Sequence, residues 1–397
     1  MKNILMVTPL YPLPTKENNC TYVCHFFTRE WVKMGYHVVV IHSQPVHCWA
    51  WHLVVRFFGK SLKNIMGGGN YYARKIKHTE HYDMEGVKVY RVPIFVFIPH
   101  GRYPWKSVTK FVSETYRILE KNQFTPDCIV GHMTAIELIP EINKRYHAKT
   151  AMVAHGTLNK LKERYPDWES WIDSYDAWGF RAYPIKKRFE EEVKPVKNVF
   201  YCFSGIPEKY LSEKNTHTFA KPLSRFLYIG ELIERKYPIT LLQAIPQAVD
   251  DYSIKYVGEG KEREKLEKYI SEHQMSDRVQ LMGHVQRDLV TQYLDEADCF
   301  IMISRREAYG LVYLEAMARG CIAIASRNEG FDGIIRDGEN GFLCEAGNAE
   351  ELASIIRRIN AMTAAERQAI SENGMETARR MTDHKMAIAY VNNLEKL

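Results

Sequence analysis

CFIMISRREAYGLVYLEAMARGCIAIAS, residues 299–326, decides the fold. It opens on an apolar β-rich run, Cys299–Ile303, and closes on another, Ile322–Ser326. Between them the pattern predicts a helix from about Leu311 to Ala318, entered through Gly310. Strand, helix and strand in that order form a βαβ unit, and such a unit sets its two strands parallel in one sheet.

The same stretch holds two acids. Glu307 lies in a polar segment about one turn before the helix. Glu315 lies within the helix, where a carboxylate is costly unless something pairs with it. Gly310 permits a sharp entry that brings a ligand close to backbone. The first N–H groups of the helix have no internal partners, and its dipole favours an anion there, so a pyrophosphate fits. One acid then holds a sugar's hydroxyls and the other a ribose diol, with phosphates between them. The alternative reading makes Glu307 a solvated loop residue and pairs Glu315 with a nearby Arg such as Arg319.

Outward from this unit, β-rich runs alternate with helical patterns along the whole chain. Strands are predicted at Asn3–Thr8, His37–His42, Val87–Pro93, Cys128–His132, Thr150–His155 and Val199–Phe203. A second set falls at Arg225–Ile229, Ser253–Val257, Val279–Met282, Cys299–Ile303, Ile322–Ser326 and Gly341–Cys344. Helices are predicted between them, among others at Thr21–Met34, Ser107–Lys121, Thr240–Val249, Lys261–His273, Asp288–Glu296 and Glu350–Ile359. The fold class is therefore α/β, with two doubly wound Rossmann-like domains. The boundary is expected near residue 204, giving domains 1–204 and 205–379, with a terminal helix at about 380–397 packing back on the first. Two such domains are expected to face each other across a cleft at the carboxyl ends of their strands.

A chain of 397 residues fits two domains, and 46% hydrophobic with 26% charged residues is ordinary globular composition. The eight cysteines show no repeated CxxC spacing. Cys20, Cys24 and His25 can be read as metal ligands or, with no second ligand pair, as one turn of a helix. The cysteines suit a reducing cytoplasm. No secretory leader and no run of the roughly 20 apolar residues of a membrane span is visible. Residues 47–77 concentrate cations beside aromatics, and such a segment can lie on an anionic membrane surface or pack as a helix with solvated lysines. No nucleic-acid module accompanies the charge, so nucleic acid is not expected as a partner.

Of the phosphate-binding patterns, GxxxxGK[ST] is absent. Gly258-Glu259-Gly260 follows a strand and opens a helix, but Arg263 stands where a third glycine belongs. The pair fits a tight turn, with a nucleotide lying against it as the functional reading.

Glu307-Ala-Tyr-Gly-Leu-Val-Tyr-Leu-Glu315-Ala-Met-Ala-Arg-Gly320 resembles the Glu-x7-Glu signature of the retaining nucleotide-sugar glycosyltransferases of family 4, which have the GT-B fold. VGEGKEREKL at 257–266, the Gly-His of VQLMGHV at 279–285 and EGFDGIIRDGENGFL at 329–343 also resemble that family. The likeness is specific over about 225–360 and looser in the first half, through MGYHVVVIHS, PDCIVGHMTA and AMVAHG. It implies transfer of a sugar from a nucleotide diphosphate sugar, UDP- or GDP-linked, to a glycan or lipid-linked acceptor in surface polysaccharide biosynthesis. It implies that Glu307 contacts the donor sugar, Glu315 the ribose, and Gly310 and Leu311 the phosphate, with Tyr309 on the same donor side. Lys236 matches a lysine that neutralises the pyrophosphate. His132 resembles a histidine close to the reacting sugar. His155, Asn18 and Asn19 are placed on the acceptor side.

The chain departs from the family at Glu231, where an Arg is usual; Arg235 is the candidate replacement. The loop Glu17-Asn18-Asn19-Cys20 replaces a glycine-rich one. The family's front-face route needs no enzymic nucleophile, and with no Asp-x-Asp present neither a metal nor another cofactor is expected. Two rivals are an epimerase of the same fold and a weakly active glycan- or nucleotide-binding subunit. A phosphorylase would need a pyridoxal-phosphate lysine site, which is not evident.

Overall fold

The computed structural model describes residues 1–14, 21–47, 51, 76–98, 101–156, 161–212, 215 and 217–397. The chain divides into two compact units. One comprises Met1–Phe180, Lys187–Cys202 and Ala387–Leu397; the other comprises Arg181–Lys186 and Phe203–Met386.

The first unit is built on an eight-stranded sheet in the order β3-β4-β2-β1-β5-β6-β7-β8. Its strands are β1 Asn3–Thr8, β2 His37–Val46, β3 Glu80–Met84, β4 Val87–Phe95, β5 Cys128–His132, β6 Lys149–Ala154, β7 Ala177–Phe180 and β8 Val199–Tyr201. All neighbours are parallel except β3 and β4. The central strands are continuous apolar runs because helices cover both faces of a parallel sheet. Ile4–Val7, Val39–Ile41 and Ile129–Val130 are buried accordingly.

Two strands escape the sequence pattern. β3 is Glu-His-Tyr-Asp-Met, a polar edge strand whose pairing comes from a tight turn at Glu85 and Gly86, both with positive φ. β7 is four residues long and includes Gly179, whose added Cβ would meet the Phe200 ring.

The terminal segment Ala387–Leu397 belongs to this first unit. Trp31 Nε1 donates to the Ala387 carbonyl at 3.0 Å. Tyr390 packs among Phe27, Trp31, Phe200 and His132. Cys24 and His25 lie in the helix Val23–Lys33; Cys24 Sγ is 3.7 Å from Thr8 Oγ1, and the His25 ring nitrogens meet Tyr11 and Glu85.

The second unit holds six parallel strands in the order β11-β10-β9-β12-β13-β14. They are β9 Arg225–Ile229, β10 Ser253–Val257, β11 Val279–Leu281, β12 Cys299–Ile301, β13 Ile322–Ser326 and β14 Phe342–Cys344. From β9 the chain winds outward through β10 and β11, then returns to place β12 against the other side of β9. That reversal makes a topological switch point, and the crevice for a ligand lies at the carboxyl ends of those two strands. The segments leaving them are Gly230–Lys236 and the loop before the helix Leu311–Ala318. In the first sheet the corresponding switch lies between β1 and β5, and β5 ends on His132.

Two helix starts in the second unit are set by local chemistry. Asn348 caps Ala349–Ala361 by accepting from the Glu351 N–H. Thr363 and Glu366 form a capping box at the start of Ala364–Arg380.

Candidate active site

At the switch point of the second sheet, the loop after β9 ends in a single turn of 3₁₀ helix, Glu234–Lys236, closed by Tyr237 at φ 47°. The Arg305 N–H donates to the Arg235 carbonyl at 2.7 Å and ties this loop to the one after β12. As a result Lys236 Nζ stands 3.9 Å and Arg235 Nη1 3.8 Å from Glu307 Oε2. Ser304 Oγ lies 3.5 Å from the same oxygen. These distances give Coulomb attraction without strong hydrogen bonds, so the acid keeps bonding capacity for a ligand. Burial holds the Lys236 ammonium below its ordinary pKa, while the charge of Glu307 opposes that shift.

The loop is held from beneath. Glu329 Oε2 accepts from the Glu307 N–H at 2.9 Å, and the Gly330 N–H donates to the Glu307 carbonyl at 3.0 Å. Gly330 packs so closely on Tyr309 that any Cβ would collide with its backbone. Gly310 has φ 87° and starts the helix with no side-chain cap, leaving its first N–H groups available to an anion.

Tyr309, Gly258 and Gly260, expected on the donor side, also have packing partners of their own. The Tyr309 side chain is buried; its hydroxyl donates to the Ser204 carbonyl at 2.7 Å and its ring packs on Phe331 and Phe203. Gly258 and Gly260 owe their identity to a backbone approach: an added Cβ would strike the Gly230 carbonyl at the first and the Leu232 carbonyl at the second. They shape the loop that carries Lys236.

Glu315 is 7% exposed, so its carboxylate needs a partner. Its partner is Arg287, whose Nη2 donates to Oε1 at 3.1 Å while its Nε donates to the Tyr210 hydroxyl at 3.2 Å. Arg319, the partner suggested by proximity in sequence, binds Asp295 instead at 2.5 and 2.7 Å. Burial raises the Glu315 pKa, and Arg287 draws it back down.

Glu231 is exposed and makes no ion pair with Lys236 or Arg235; the Tyr228 hydroxyl donates to its carbonyl at 3.1 Å. The cation beside the site that sequence reading passed over is Arg305, whose guanidinium lies 5.7 Å from the Tyr237 ring centre. Its place in the Arg305-Arg306-Glu307 run was the available signal. Glu329 was signalled by EGFDG, whereas nothing in the spacing pointed to Arg287.

In the first unit, His132 is wholly buried. Its Nδ1 meets His155 Nε2 at 2.9 Å and its Nε2 meets the Tyr390 hydroxyl at 3.0 Å. Both ring nitrogens of His132 are thus engaged by protein groups in this arrangement. His155, half-buried at the end of β6, is the outer member of the chain Tyr390–His132–His155. Asn18 and Asn19 lie outside the described residues, as do 48–50 and 52–75 of the basic segment.

Residues 212–377 match the family model described as glycosyl transferases group 1. The chain is 28% identical over 287 residues to the uncharacterized glycosyltransferase MJ1178 of Methanocaldococcus jannaschii, covering 72% of this chain and 77% of that one. It is 35% identical over 149 residues to the lipopolysaccharide core biosynthesis glycosyltransferase LpsE of Rhizobium meliloti, covering 38% and 43%. Among solved structures, Anabaena Alr3699/HepE in complex with UDP and glucose has a TM-score of 0.65 at 14% identity, covering 100% of both chains, a likeness of fold. Residues 212–377 are a glycosyl transferases group 1 domain, set in a chain that has the GT-B fold and is a glycosyltransferase.

Proposed function

We propose that the chain moves a glycosyl group from a nucleotide diphosphate sugar to a glycan or lipid-linked acceptor, with retention at the anomeric carbon, in the building of a surface polysaccharide. The observation that carries this is the grouping of Glu307 with Lys236 and Arg235 beside the uncapped start of the helix Leu311–Ala318. Transfer must stabilise a departing diphosphate and an electron-poor sugar. Lys236, Arg235 and the N–H groups of Gly310 and Leu311 supply fixed positive charge to the first. Glu307 accepts hydroxyls of the second. Glu315 takes the ribose diol, with the Arg287 guanidinium opposing the rise that burial gives its pKa. No enzymic nucleophile and no metal is called on.

The relatives lend support of a coarser kind. The rhizobial relative is named for lipopolysaccharide core biosynthesis, and the Anabaena structure holds UDP and glucose. An epimerase of the same fold is not favoured, because the family model and the relatives are transferases. Contact with an anionic membrane through residues 47–77 stays part of the proposal on their charge alone. Among the described residues no helix is long and apolar enough to cross a membrane. The test is release of nucleoside diphosphate from a panel of UDP and GDP sugars, with and without acceptor and with and without EDTA. Turnover of one donor, unchanged by EDTA, supports the reading; no turnover of any overturns it.

A further inference from the structure

A cavity of about 340 Å³ opens in the first unit, within the size range of small-molecule sites. Phe97, Arg102, Tyr103, Pro104, Trp105 and Glu137 line it. Phe97 follows β4 and Glu137 follows β5, so the cavity lies along the carboxyl edge of the sheet, where open α/β sheets bind ligands. His132 ends β5 on that same edge.

The cavity pairs a buried acid with exposed aromatics. Glu137 is 2% exposed. Tyr165 donates its hydroxyl to Glu137 Oε2 at 2.7 Å. Oε1 is buried and finds no hydrogen-bond partner on another residue. The Glu137 backbone N–H is the carboxyl's other donor, and Oε1 keeps acceptor capacity that a ligand hydroxyl can take up. Arg102 lies with its guanidinium 4.9 Å from the Tyr165 ring centre, beside the group that holds Glu137. Trp105 is 53% and Phe97 62% exposed, a large apolar area left in water at the rim of a polar pocket.

We propose that this cavity binds one pyranose ring of the acceptor, its hydroxyls donating to Glu137 and accepting from Arg102 and its C–H face lying on the Trp105 ring. The proposal rests on the reading of the chain as a transferase with a sugar acceptor. An alkyl chain would leave the remaining acceptor capacity of Glu137 unused. A phosphate would set its charge against the acid. A hydroxylated, uncharged ring satisfies both polar groups and covers the aromatic face.

Saturation-transfer NMR on the full chain, with the methyl glycosides of glucose, galactose, mannose and N-acetylglucosamine as probes, tests this. At least one glycoside should bind saturably, and Glu137→Gln and Trp105→Ala should each weaken it at least tenfold. Trp105 is a surface side chain, so its variant remains informative if Glu137→Gln does not fold. Absence of binding by all four probes, or binding unchanged in Trp105→Ala, overturns the proposal. Hydrolysis of the nucleotide sugar without acceptor is read in parallel and should be unchanged in both variants. If the wild-type chain turns over no donor either with or without acceptor, the transferase reading fails while glycoside binding still reports on the cavity.

Discussion

Lys236 Nζ stands 3.9 Å from Glu307 Oε2, near enough for Coulomb attraction and too far for a strong hydrogen bond. Neither residue is fixed by the other. Each is placed by backbone: Lys236 by the turn closed at Tyr237, Glu307 by Glu329 and Gly330. An arrangement set by backbone before a ligand arrives is one that can stabilise charge in a transition state at no cost in reorganisation.

Arg287→Ala leaves Glu315 a buried carboxyl without its cation. Burial already raises the Glu315 pKa and Arg287 opposes the rise, so the variant pushes the folded value further up. A carboxyl with a raised folded pKa contributes stability below its unfolded pKa and loses it as pH climbs through the folded one. The deficit relative to wild type should therefore be smallest near about pH 5 and grow toward about pH 8. It should reach about 1–3 kcal/mol. Urea unfolding at both pH values measures it.

Gly258→Ala should destabilise the second unit. Position 258 has φ 144°, and an added Cβ would strike the Gly230 carbonyl. The strained backbone alone costs about 1–3 kcal/mol. Thermal unfolding should show a lower Tm, with weaker donor binding because the loop carrying Lys236 is displaced.

Tyr390→Phe removes the hydroxyl 3.0 Å from His132 Nε2 and with it one hydrogen bond of a buried ring. The expected loss is about 1–3 kcal/mol by chemical denaturation. An unchanged midpoint would mean that the ring finds another partner.

The βαβ unit at 299–326 was legible because its strands are apolar, its helix is bounded by Gly310 and Gly320, and every element falls within one short stretch. β3 was not, because its residues are polar and its pairing is dictated by the turn that follows. Gly258 and Gly260 were visible as glycines at a turn, but what they avoid, the backbone of Gly230 and Leu232, belongs to another segment. His132 was legible as the end of a strand; Tyr390, which closes off its second nitrogen, is 258 residues away. Arg287 reaches Glu315 across 28 residues with no periodic signal. Sequence pattern reports local periodicity, and these partners are chosen by tertiary packing.

The central claim is that Glu307 and Lys236 form the donor end of a glycosyl-transfer site. Turnover of the accepted nucleotide sugar, measured for Glu307→Ala and Lys236→Ala alongside their urea unfolding curves, tests it most directly. The account predicts a fall of about 10²–10³ in kcat for each, with unfolding midpoints close to wild type. Near wild-type turnover in both folded variants would contradict it.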